Sequence, residues 1–319
     1  MPLFILVVNS RSRKGIKLIG LSMALALTAC GQPDDIGADD AEGVDAPLQL
    51  APAECSPAPE GSDPEAVAAY ERVNAYRKAA GLGCTDFSKE IAKAAKDHCD
   101  YYTANAKQSM CTANPHREVE GCSKFRGEKM SARLKAASYE GQSAYEDMTY
   151  VGKGSRAVDL WVDSVWHRIP ILSPWIRDAG YGRSGACDTM DFSWARSPSE
   201  DTPLVMYPFD GQVDVSRSWN GATESPALPV PKSGWPSGYP IMLYAAGLKV
   251  DTHSLLDEDG KPVDHIFLQP GDKETYGILL NEFAMYATKP LKKLTTYRIV
   301  IAGKRSGTPV RVESSFTTR

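Results

Sequence analysis

The residues best suited to chemistry lie in one run, Ala157–Arg168, which ends in a His-Arg pair. Apolar side chains such as Val158 and Trp161 recur with the 3.6-residue period of a helix, so the run predicts a helix that is capped by Ser155 and buries this face. A histidine at the end of a buried helix is held firmly enough to serve a pocket. His167 is therefore the first candidate site residue.

One interpretation of this run is a serine hydrolase. Ser164 and His167 lie three residues apart and would share a helix face, and Glu146 is available as the orienting acid of a Ser-His-acid group. However, Ser164 lies within the predicted helix, without the Gly-x-Ser-x-Gly turn that exposes a nucleophile, and a serine in a helix commonly bonds back to a backbone carbonyl. Catalysis by Ser164, His167 and Glu146 is therefore the alternative to a binding function.

The elements that must position these residues fall between residues 64 and 195. Asp63 followed by Pro64 is typical of a helix start, and an apolar stripe predicts a helix that stops at Gly81. A second helix is predicted from about residue 88 to 106, with His98 on its buried face as a core residue. Together these patterns indicate an α+β domain over residues 64–195.

Several short motifs follow one another here in a recognisable order. They are Val73-Asn74-Ala75-Tyr76-Arg77, Ala94-Ala95-Lys96-Asp97-His98, Tyr145-Glu146, Trp161-x-x-Ser164-x-x-His167-Arg168, Gly180-Tyr181-Gly182 and Met190-Asp191-Phe192. In this order they resemble the CAP superfamily, which comprises cysteine-rich secretory, antigen 5 and pathogenesis-related proteins. The resemblance covers residues 64–195 and implies a three-layer α-β-α sandwich.

The same resemblance implies a central cavity with two histidines and two acidic residues, in some members around a divalent metal. His116 and Glu146 match the first histidine and the glutamate, and His167 matches the histidine of bacterial members. The remaining position falls near Asp188 or Asp191, and Asp188 completes the predicted ligand pocket. Imidazole and carboxylate suit Zn²⁺ or a similar ion, so Zn²⁺ or Ca²⁺ is the implied cofactor, held by His116, His167 and Glu146.

Aromatic residues surround His167 in the sequence, and they leave the kind of ligand open. They are Trp161, Trp166, Trp175 and Tyr181. Apolar walls with a few polar groups are typical of a small-molecule or lipid site, but the same residues also describe a tryptophan-rich core. The predicted partner is a small apolar ligand or a protein or glycan of the cell envelope.

The first 29 residues resemble a signal peptide. Basic residues from Arg11 to Lys17 precede an apolar stretch that is too short to span a bilayer, and Leu27-Thr28-Ala29-Cys30 resembles a bacterial lipobox. Lipid on Cys30 would anchor the protein to the membrane of the cell envelope, the outer membrane if the host is Gram-negative. The alternative is an ordinary cleaved signal with a chance cysteine. Residues 30–63 are acidic and proline-rich, which predicts a solvated tether.

Cysteine count and charge fit an exported protein. Besides Cys30 the chain has six cysteines, Cys55, Cys84, Cys99, Cys111, Cys122 and Cys187. An even number in an exported chain predicts up to three disulfides, with the pairing left open. The net charge of −4 argues against nucleic acid as a partner, and loss of a basic signal peptide would make the chain more acidic.

The pattern changes near residue 203. Helical periodicity gives way to short strand-like runs between turns, at 213–216, 241–245, 255–256, 266–268, 276–280, 297–302 and 310–317. These runs predict an antiparallel β-sandwich over residues 203–319, and Tyr297 at the start of a strand resembles the corner tyrosine of immunoglobulin-like domains. His253 and His265 flank a turn here and are expected to face solvent.

The sequence therefore predicts a CAP-like α-β-α sandwich followed by an immunoglobulin-like sandwich. The predicted function is that of a lipid-anchored protein of the cell envelope whose CAP-like domain binds a ligand or partner without catalysis. A metal-dependent or serine hydrolase acting on cell-wall or protein substrates is the alternative.

Overall fold

The computed structural model describes residues 4–7, 54–195, 199 and 201–319, with side chains from residue 54 onward. Cys30, most of the predicted signal peptide and the predicted tether up to residue 53 lie outside the described residues. Within them, no helix combines the length and the apolar character needed to cross a membrane.

The first part of the chain is a five-stranded sheet between two groups of helices. Its helices are α1 (Pro64–Ala79), α2 (Lys89–Ala104), α3 (Met130–Ala136), α4 (Ser155–Val162) and α5 (Arg168–Leu172), and its strands are β1 (Phe4–Val7), β2 (Asp86–Phe87), β3 (Ser143–Thr149), β4 (Ile176–Ser184) and β5 (Cys187–Trp194). The strands pair in the order β1-β3-β5-β4-β2. Helices α2 and α3 pack on one face, and α1, α4 and α5 pack on the other. The result is the expected three-layer α-β-α arrangement.

Strand β1 lies at the edge of this sheet, antiparallel to β3. It belongs to the segment that the sequence predicts to be a signal peptide. Because β1 is an edge strand, the other four strands pair with one another without it.

The first two helices each begin with a side-chain cap, and the cap at Asp63 is the one that the sequence predicts. Asp63 accepts the backbone N–H groups of Glu65 and Ala66 at 2.9 and 3.1 Å, ahead of α1. Ser88 accepts the N–H of Ile91 at 3.1 Å, ahead of α2. In each case a side-chain oxygen satisfies donors that the first helical turn leaves open.

The glycines of the Gly180-Tyr181-Gly182 motif let α2 lie directly on β4. A Cβ atom at Gly180 would fall 2.1 Å from the backbone N of Ala92, and one at Gly182 would fall 2.0 Å from the backbone N of Lys96. Real side chains do not tolerate such distances, so this layer spacing requires glycine at both positions. Tyr181, between them, points to the opposite face and accepts the Gly154 N–H.

The predicted helix from Ser155 to Arg168 is interrupted, and Ser155 does not cap it, because the N-cap residue is Gly154. Helix α4 ends at Val162, residues 163–167 form a turn, and α5 begins at Arg168. Pro170 is incompatible with one continuous helix through this run, because proline lacks the N–H that would bond to the Trp166 carbonyl and its ring clashes with that carbonyl. In the first turn of α5, where N–H groups have no helical partner, the same proline is tolerated.

The second part of the chain is rich in strands. They are β6 (Val205–Tyr207), β7 (Gln212–Val215), β8 (Ile241–Tyr244), β9 (Leu248–Leu256), β10 (His265–Leu268), β11 (Glu282–Ala287), β12 (Thr296–Arg305) and β13 (Thr308–Thr318), with short 3₁₀ turns at Gly221–Thr223 and Lys273–Thr275. They form two four-stranded sheets, in the orders β10-β11-β8-β6 and β7-β13-β12-β9. All neighbours are antiparallel except β7 and β13.

One of the predicted strands is wrong. Residues 276–280 form a turn, because Tyr276 and Gly277 adopt positive φ angles of 52° and 74°. The strand in this region is β11, which begins at the buried Glu282. The acidic residue Glu282 at the start of this buried strand interrupts the apolar pattern from which a strand is predicted.

The six cysteines of the described chain form three disulfides. They are Cys55–Cys84, Cys99–Cys187 and Cys111–Cys122. The second joins α2 to β5, and the third closes the loop between α2 and α3. Such pairing is typical of proteins that mature outside the reducing cytoplasm.

Candidate functional site

The predicted pair His116 and Glu146 comes together in the structure. Nδ1 of His116 lies 2.9 Å from Oε1 of Glu146, and both side chains are buried. Strand β3 carries Glu146. His116 lies in the loop closed by the Cys111–Cys122 disulfide, where the Asn114 side chain accepts its backbone N–H. The sheet therefore fixes the carboxylate, and a cross-linked loop fixes the imidazole.

His98 and Glu118, which the sequence analysis did not place in the site, extend this pair into a network. His98 lies on the buried face of α2, with Nδ1 2.9 Å from Oε1 of Glu118 and Nε2 2.9 Å from the Pro115 carbonyl. The same Nε2 is 3.8 Å from Oε1 of Glu146. Oε2 of Glu118 accepts two backbone N–H groups from residues 126–127. Both carboxylates are thus surrounded by donors.

A buried arginine lies between the two carboxylates. Arg133, on α3, donates from Nη2 to Oε2 of Glu146, and its Nε is 3.9 Å from Oε1 of Glu118. Nη1 donates to the His116 carbonyl at 3.3 Å. The guanidinium is a permanent cation with a rigid fork of donors. It compensates carboxylate charge that would otherwise be costly in the protein interior.

Asp191 is the second acidic residue beside Glu146. The two residues are direct partners in the pairing of β3 with β5, so both side chains leave the sheet on the α2 face. Burial raises the pKa of Asp191 well above its ordinary value, and the charge of Glu146 raises it further. Asp191 is therefore favoured in its protonated form, next to an ionised Glu146.

The network sets the protonation of its central pair. Burial acts to raise the pKa of Glu146, but the charges of Arg133 and His98 outweigh burial and hold that pKa below its ordinary value. For His116, burial is the largest effect, and it lowers the pKa despite the hydrogen bond to Glu146. A neutral His116 therefore donates its Nδ1–H to an ionised carboxylate.

This network does not fit the divalent metal that the family resemblance implies. Zn²⁺ takes about four ligands around one point, and Ca²⁺ takes about six to eight oxygens. Here the oxygens of Glu146 face Arg133 and His116. Among the described residues, no group of three or more His, Cys, Asp or Glu is arranged to hold a metal ion. Arginine supplies the positive charge of this site.

His167 lies on the other side of the sheet, in the turn between α4 and α5. Its Nδ1 is 2.7 Å from Oγ of Ser164, and this Oγ also accepts the backbone N–H of His167. Glu224, from the strand-rich part, reaches the same turn and accepts the Val165 N–H at 3.3 Å. The predicted site residues are therefore divided, with His116 and Glu146 on one face and His167 on the other.

Two buried acids accompany His167. Burial raises the pKa of Glu224 to about 7, although hydrogen bonds from Ser164 and from the turn backbone lower it. Asp147 leaves β3 on the face opposite Glu146, and burial followed by the charges of neighbouring acids raises its pKa well above the ordinary value. Neither carboxyl oxygen of Asp147 has a hydrogen-bond partner among the described residues. This face of the sheet thus favours protonated carboxyl groups.

The serine and histidine lie within hydrogen-bond distance, as a nucleophile and its base would, but both side chains are closed off from solvent. Ser164 is 3% exposed and His167 is fully buried. Oγ of Ser164 holds the turn together by accepting a backbone N–H. The acid beside this pair is Glu224 rather than Glu146, and it contacts the serine and the backbone of the turn. These contacts hold the turn between α4 and α5.

Asp188 lies beneath a surface groove. It accepts the Tyr181 hydroxyl at Oδ1, and this oxygen is 3.3 Å from Nε of Arg183. Burial raises the pKa of Asp188 to about 6, against the opposing effects of these two partners. Tyr181 and Arg183 line a groove of about 650 Å³ between the start of α1 and α2. The charged residues lining it are Asp63, Glu65, Lys89, Lys93, Lys96 and Arg183.

The tryptophans around His167 are core residues. Trp161, Trp166 and Trp175 are fully buried. Trp166 donates to the Pro226 carbonyl at 2.8 Å, which ties the first part of the chain to the second. These rings fill the interior and do not line the groove.

Arg168, the second half of the His-Arg pair, makes a similar connection. Its Nη1 donates to the Pro240 carbonyl at 2.6 Å, and its guanidinium lies over the Tyr207 ring, 4.7 Å from the centroid. Buried apolar side chains of both parts belong to one continuous cluster. The most specific motif of the sequence therefore holds the two parts of the chain together.

The network residues that sequence reasoning missed carried a partial signal. Asp188 and Asp191 are three apart on one strand, so they must lie on opposite faces. Knowledge of the face of Glu146 would have selected Asp191. Glu118 and Arg133 lie in a loop and a short helix, where no periodicity distinguishes them from solvated charges.

Comparison with known proteins identifies the first part of the chain. Residues 70–195 match the model of the cysteine-rich secretory protein family, CAP, so the chain contains a CAP domain. A solved structure of an extracellular protein containing an SCP domain, from Bacillus anthracis strain Ames, is similar at 18% identity with a TM-score of 0.33. The similarity covers 41% of this chain and 40% of that chain, less than half of either. No curated protein matches the chain.

Proposed function

We propose that the protein is a lipid-anchored binding protein of the cell envelope and that its CAP domain acts without catalysis. The observation that carries this proposal is the closed network around Arg133. A catalytic acid or base must reach a substrate, and a catalytic metal needs an open position. His98, Glu146 and Arg133 are fully buried, and the guanidinium takes the place of a metal. The network therefore stabilises the domain, and residues at the surface bind the partner.

The groove between α1 and α2 is the proposed binding surface. Its volume of about 650 Å³ suits part of a glycan or a short peptide segment, and its lining carries both signs of charge. Lys93 and Lys96 are more than half exposed although each pairs with an aspartate on α2. Such a surface favours a polar partner, an envelope glycan or protein, over a small apolar ligand.

The location rests on two features of the chain. Three disulfides fit an extracytoplasmic compartment, and the lipobox-like Leu27-Thr28-Ala29-Cys30 favours lipid attachment at Cys30. Lipid attachment is tested by labelling the protein in cells with a palmitate analogue and separating membrane from soluble fractions. We expect label and membrane association in the native sequence and neither in Cys30→Ser. Unlabelled protein that stays with the membrane would contradict the anchor.

We also propose that the strand-rich part is an immunoglobulin-like module. Two four-stranded sheets fit a β-sandwich. The hydroxyl of Tyr297 accepts the Lys292 backbone N–H at 2.8 Å. A tyrosine hydroxyl bonded to the backbone a few residues upstream is the tyrosine corner of such sandwiches. The module would act as a spacer or adhesion surface beside the CAP domain.

Binding is tested by co-sedimentation of the protein with isolated cell-wall sacculi. We expect Lys93→Glu/Lys96→Glu to lose binding, because both side chains line the groove. Lys107→Glu/Lys135→Glu makes the same charge change at exposed positions outside it and should bind normally. Equal loss in both double variants would indicate nonspecific attraction and contradict the groove as the site.

The hydrolase alternative is tested with the same sacculi carrying a fluorescent label. We expect no release of soluble fragments above the buffer rate. Release that disappears in Ser164→Ala, while the variant keeps its thermal unfolding midpoint, would establish catalysis and overturn the proposal.

A further inference from the structure

Two of the five histidines form a pair at the surface of the strand-rich part. His98, His116 and His167 are buried in the clusters described above, whereas His253 on β9 is exposed and His265 on β10 is half-buried. The Val263 N–H donates to the Leu255 carbonyl at 2.8 Å. This backbone contact brings the two strands together so that residues 253 and 265 face each other across them.

The hydrogen bonds of the pair define its protons. Nδ1 of His265 lies 2.7 Å from the Val263 carbonyl, which only accepts, so Nδ1 of His265 carries the hydrogen. Nε2 of His265 is then the acceptor for Nδ1 of His253, at 2.8 Å. The His253 ring stacks on Phe267, with centroids 4.0 Å apart and planes at 10°. Both rings are therefore held in place by groups outside the pair.

We propose that His253 and His265 form a surface site for a divalent transition metal of tetragonal preference, Cu²⁺ in the first place. Two imidazole nitrogens bound about 2.0 Å from one ion at a right angle are about 2.8 Å apart. The observed 2.8 Å between Nδ1 of His253 and Nε2 of His265 is close to this value. A tetrahedral ion needs about 3.3 Å between the same nitrogens, so the pair is better spaced for Cu²⁺ than for Zn²⁺.

The surroundings of the pair are those of metal-binding imidazoles. A histidine ligand commonly donates its second ring N–H to a backbone carbonyl, as His265 does to Val263, and this contact orients the ring toward the ion. Burial and the neighbouring His265 lower the pKa of His253, so this ring is neutral near pH 7 and its nitrogens are available. Water completes the coordination on the exposed side.

Metal binding at this site needs no net release of protons. The hydrogen on Nδ1 of His253 moves through water to Nε2 of the same ring, which frees Nδ1 as a ligand. His265 keeps its Nδ1–H on the Val263 carbonyl and binds through Nε2. Both imidazoles stay neutral, and each ring turns from its resting position so that its lone pair points at the ion and no longer along the line between the two nitrogens.

The site is tested by titrating the intact chain with Cu²⁺ in the presence of glycine, followed by pulsed EPR of the one-equivalent complex. We expect one saturable equivalent and nitrogen couplings from two imidazoles. His253→Ala and His265→Ala should each weaken binding by at least about tenfold, because each removes the chelate. Thr252→Ala, on the same exposed strand, is the matched control and should bind like the native chain.

Three results would overturn the site. One is unchanged Cu²⁺ affinity in the double variant His253→Ala/His265→Ala, since the ion would then be held elsewhere. Another is an EPR signal with fewer than two imidazole nitrogens, and the third is equal weakening in Thr252→Ala. Thermal unfolding of each variant without metal distinguishes the loss of a metal ligand from the loss of the fold. His253→Gln removes the imidazole with a smaller change of side-chain volume than His253→Ala and should weaken binding as well.

Discussion

Glu224 offers a test of how the two parts of the chain are joined. Its carboxyl is buried against the turn that carries Ser164 and His167 and accepts the Val165 N–H. Burial raises its pKa to about 7 from the ordinary 4.5. The folded protein therefore holds this proton more tightly than the unfolded chain, and the contribution to stability is present below pH 4.5 and lost as pH rises through 7.

The size of the effect follows from the pKa shift. One pKa unit corresponds to about 1.4 kcal/mol, so a shift of about 2.5 units amounts to about 3.5 kcal/mol over the whole range. Between pH 5 and pH 8 the ionisation of Glu224 lowers the free energy of unfolding by about 2 to 3 kcal/mol. Glu224→Gln keeps an acceptor oxygen for the turn and removes the ionisation. The free energy of unfolding of the variant, relative to that of the native protein, should therefore rise by about 2 to 3 kcal/mol between pH 5 and pH 8.

The assay is urea denaturation of native and Glu224→Gln proteins at pH 5 and pH 8, monitored by circular dichroism. The difference in free energy of unfolding between the two proteins removes pH effects that both share. One of these comes from His116, whose lowered pKa reduces stability as pH falls and so opposes the effect of Glu224. Glu71→Gln, at an exposed position on α1, controls for the loss of one carboxylate. A Glu224→Gln difference that stays constant from pH 5 to pH 8 would refute the reasoning.

Three further changes probe other contacts by the same denaturation assay. Arg133→Met leaves the buried Glu146 carboxylate without its cation and should lower the free energy of unfolding by about 3 to 5 kcal/mol. Adding Glu146→Gln should recover part of this loss. Costs that simply add in the double variant would contradict an energetic coupling between Arg133 and Glu146. Gly182→Ala places a methyl group 2.0 Å from a backbone nitrogen of α2 and should cost at least about 1 to 3 kcal/mol, whereas a neutral effect would show that the layers can separate. Tyr297→Phe removes the hydrogen bond from the Lys292 N–H and should lower the free energy of unfolding by about 1 kcal/mol. An unchanged urea midpoint would contradict a stabilising role for this tyrosine corner.

Local signals in the sequence were enough for the starts of α1 and α2 and for most strands of the second part. Asp63 caps α1 as predicted, because capping involves residues within three positions of each other. The helix after Ser155 was predicted too long. Its apolar period continues through Val165, but α4 ends at Val162 and α5 begins only at Arg168.

The site was predicted only in part, because its members come from five different elements. His116 and Glu146 were found through the resemblance, and they do meet. Arg133 could not be found in this way, since an arginine on a short helix is usually a solvated charge. Its role depends on α3 lying against β3, which brings the guanidinium to a carboxylate thirteen positions further along the chain.

The sequence by itself determined the CAP domain, the number of disulfides and the pairing of imidazole with carboxylate, because each depends on residue type, order or count. Only the tertiary structure decided on which face of the sheet each polar group lies. Neighbouring positions of a strand point in opposite directions, so Glu146 joins a network neutralised by Arg133, while Asp147 lies on the opposite face, within the electrostatic reach of Glu224. Charge in the interior is stabilised only by partners in contact, and those partners are brought together by packing.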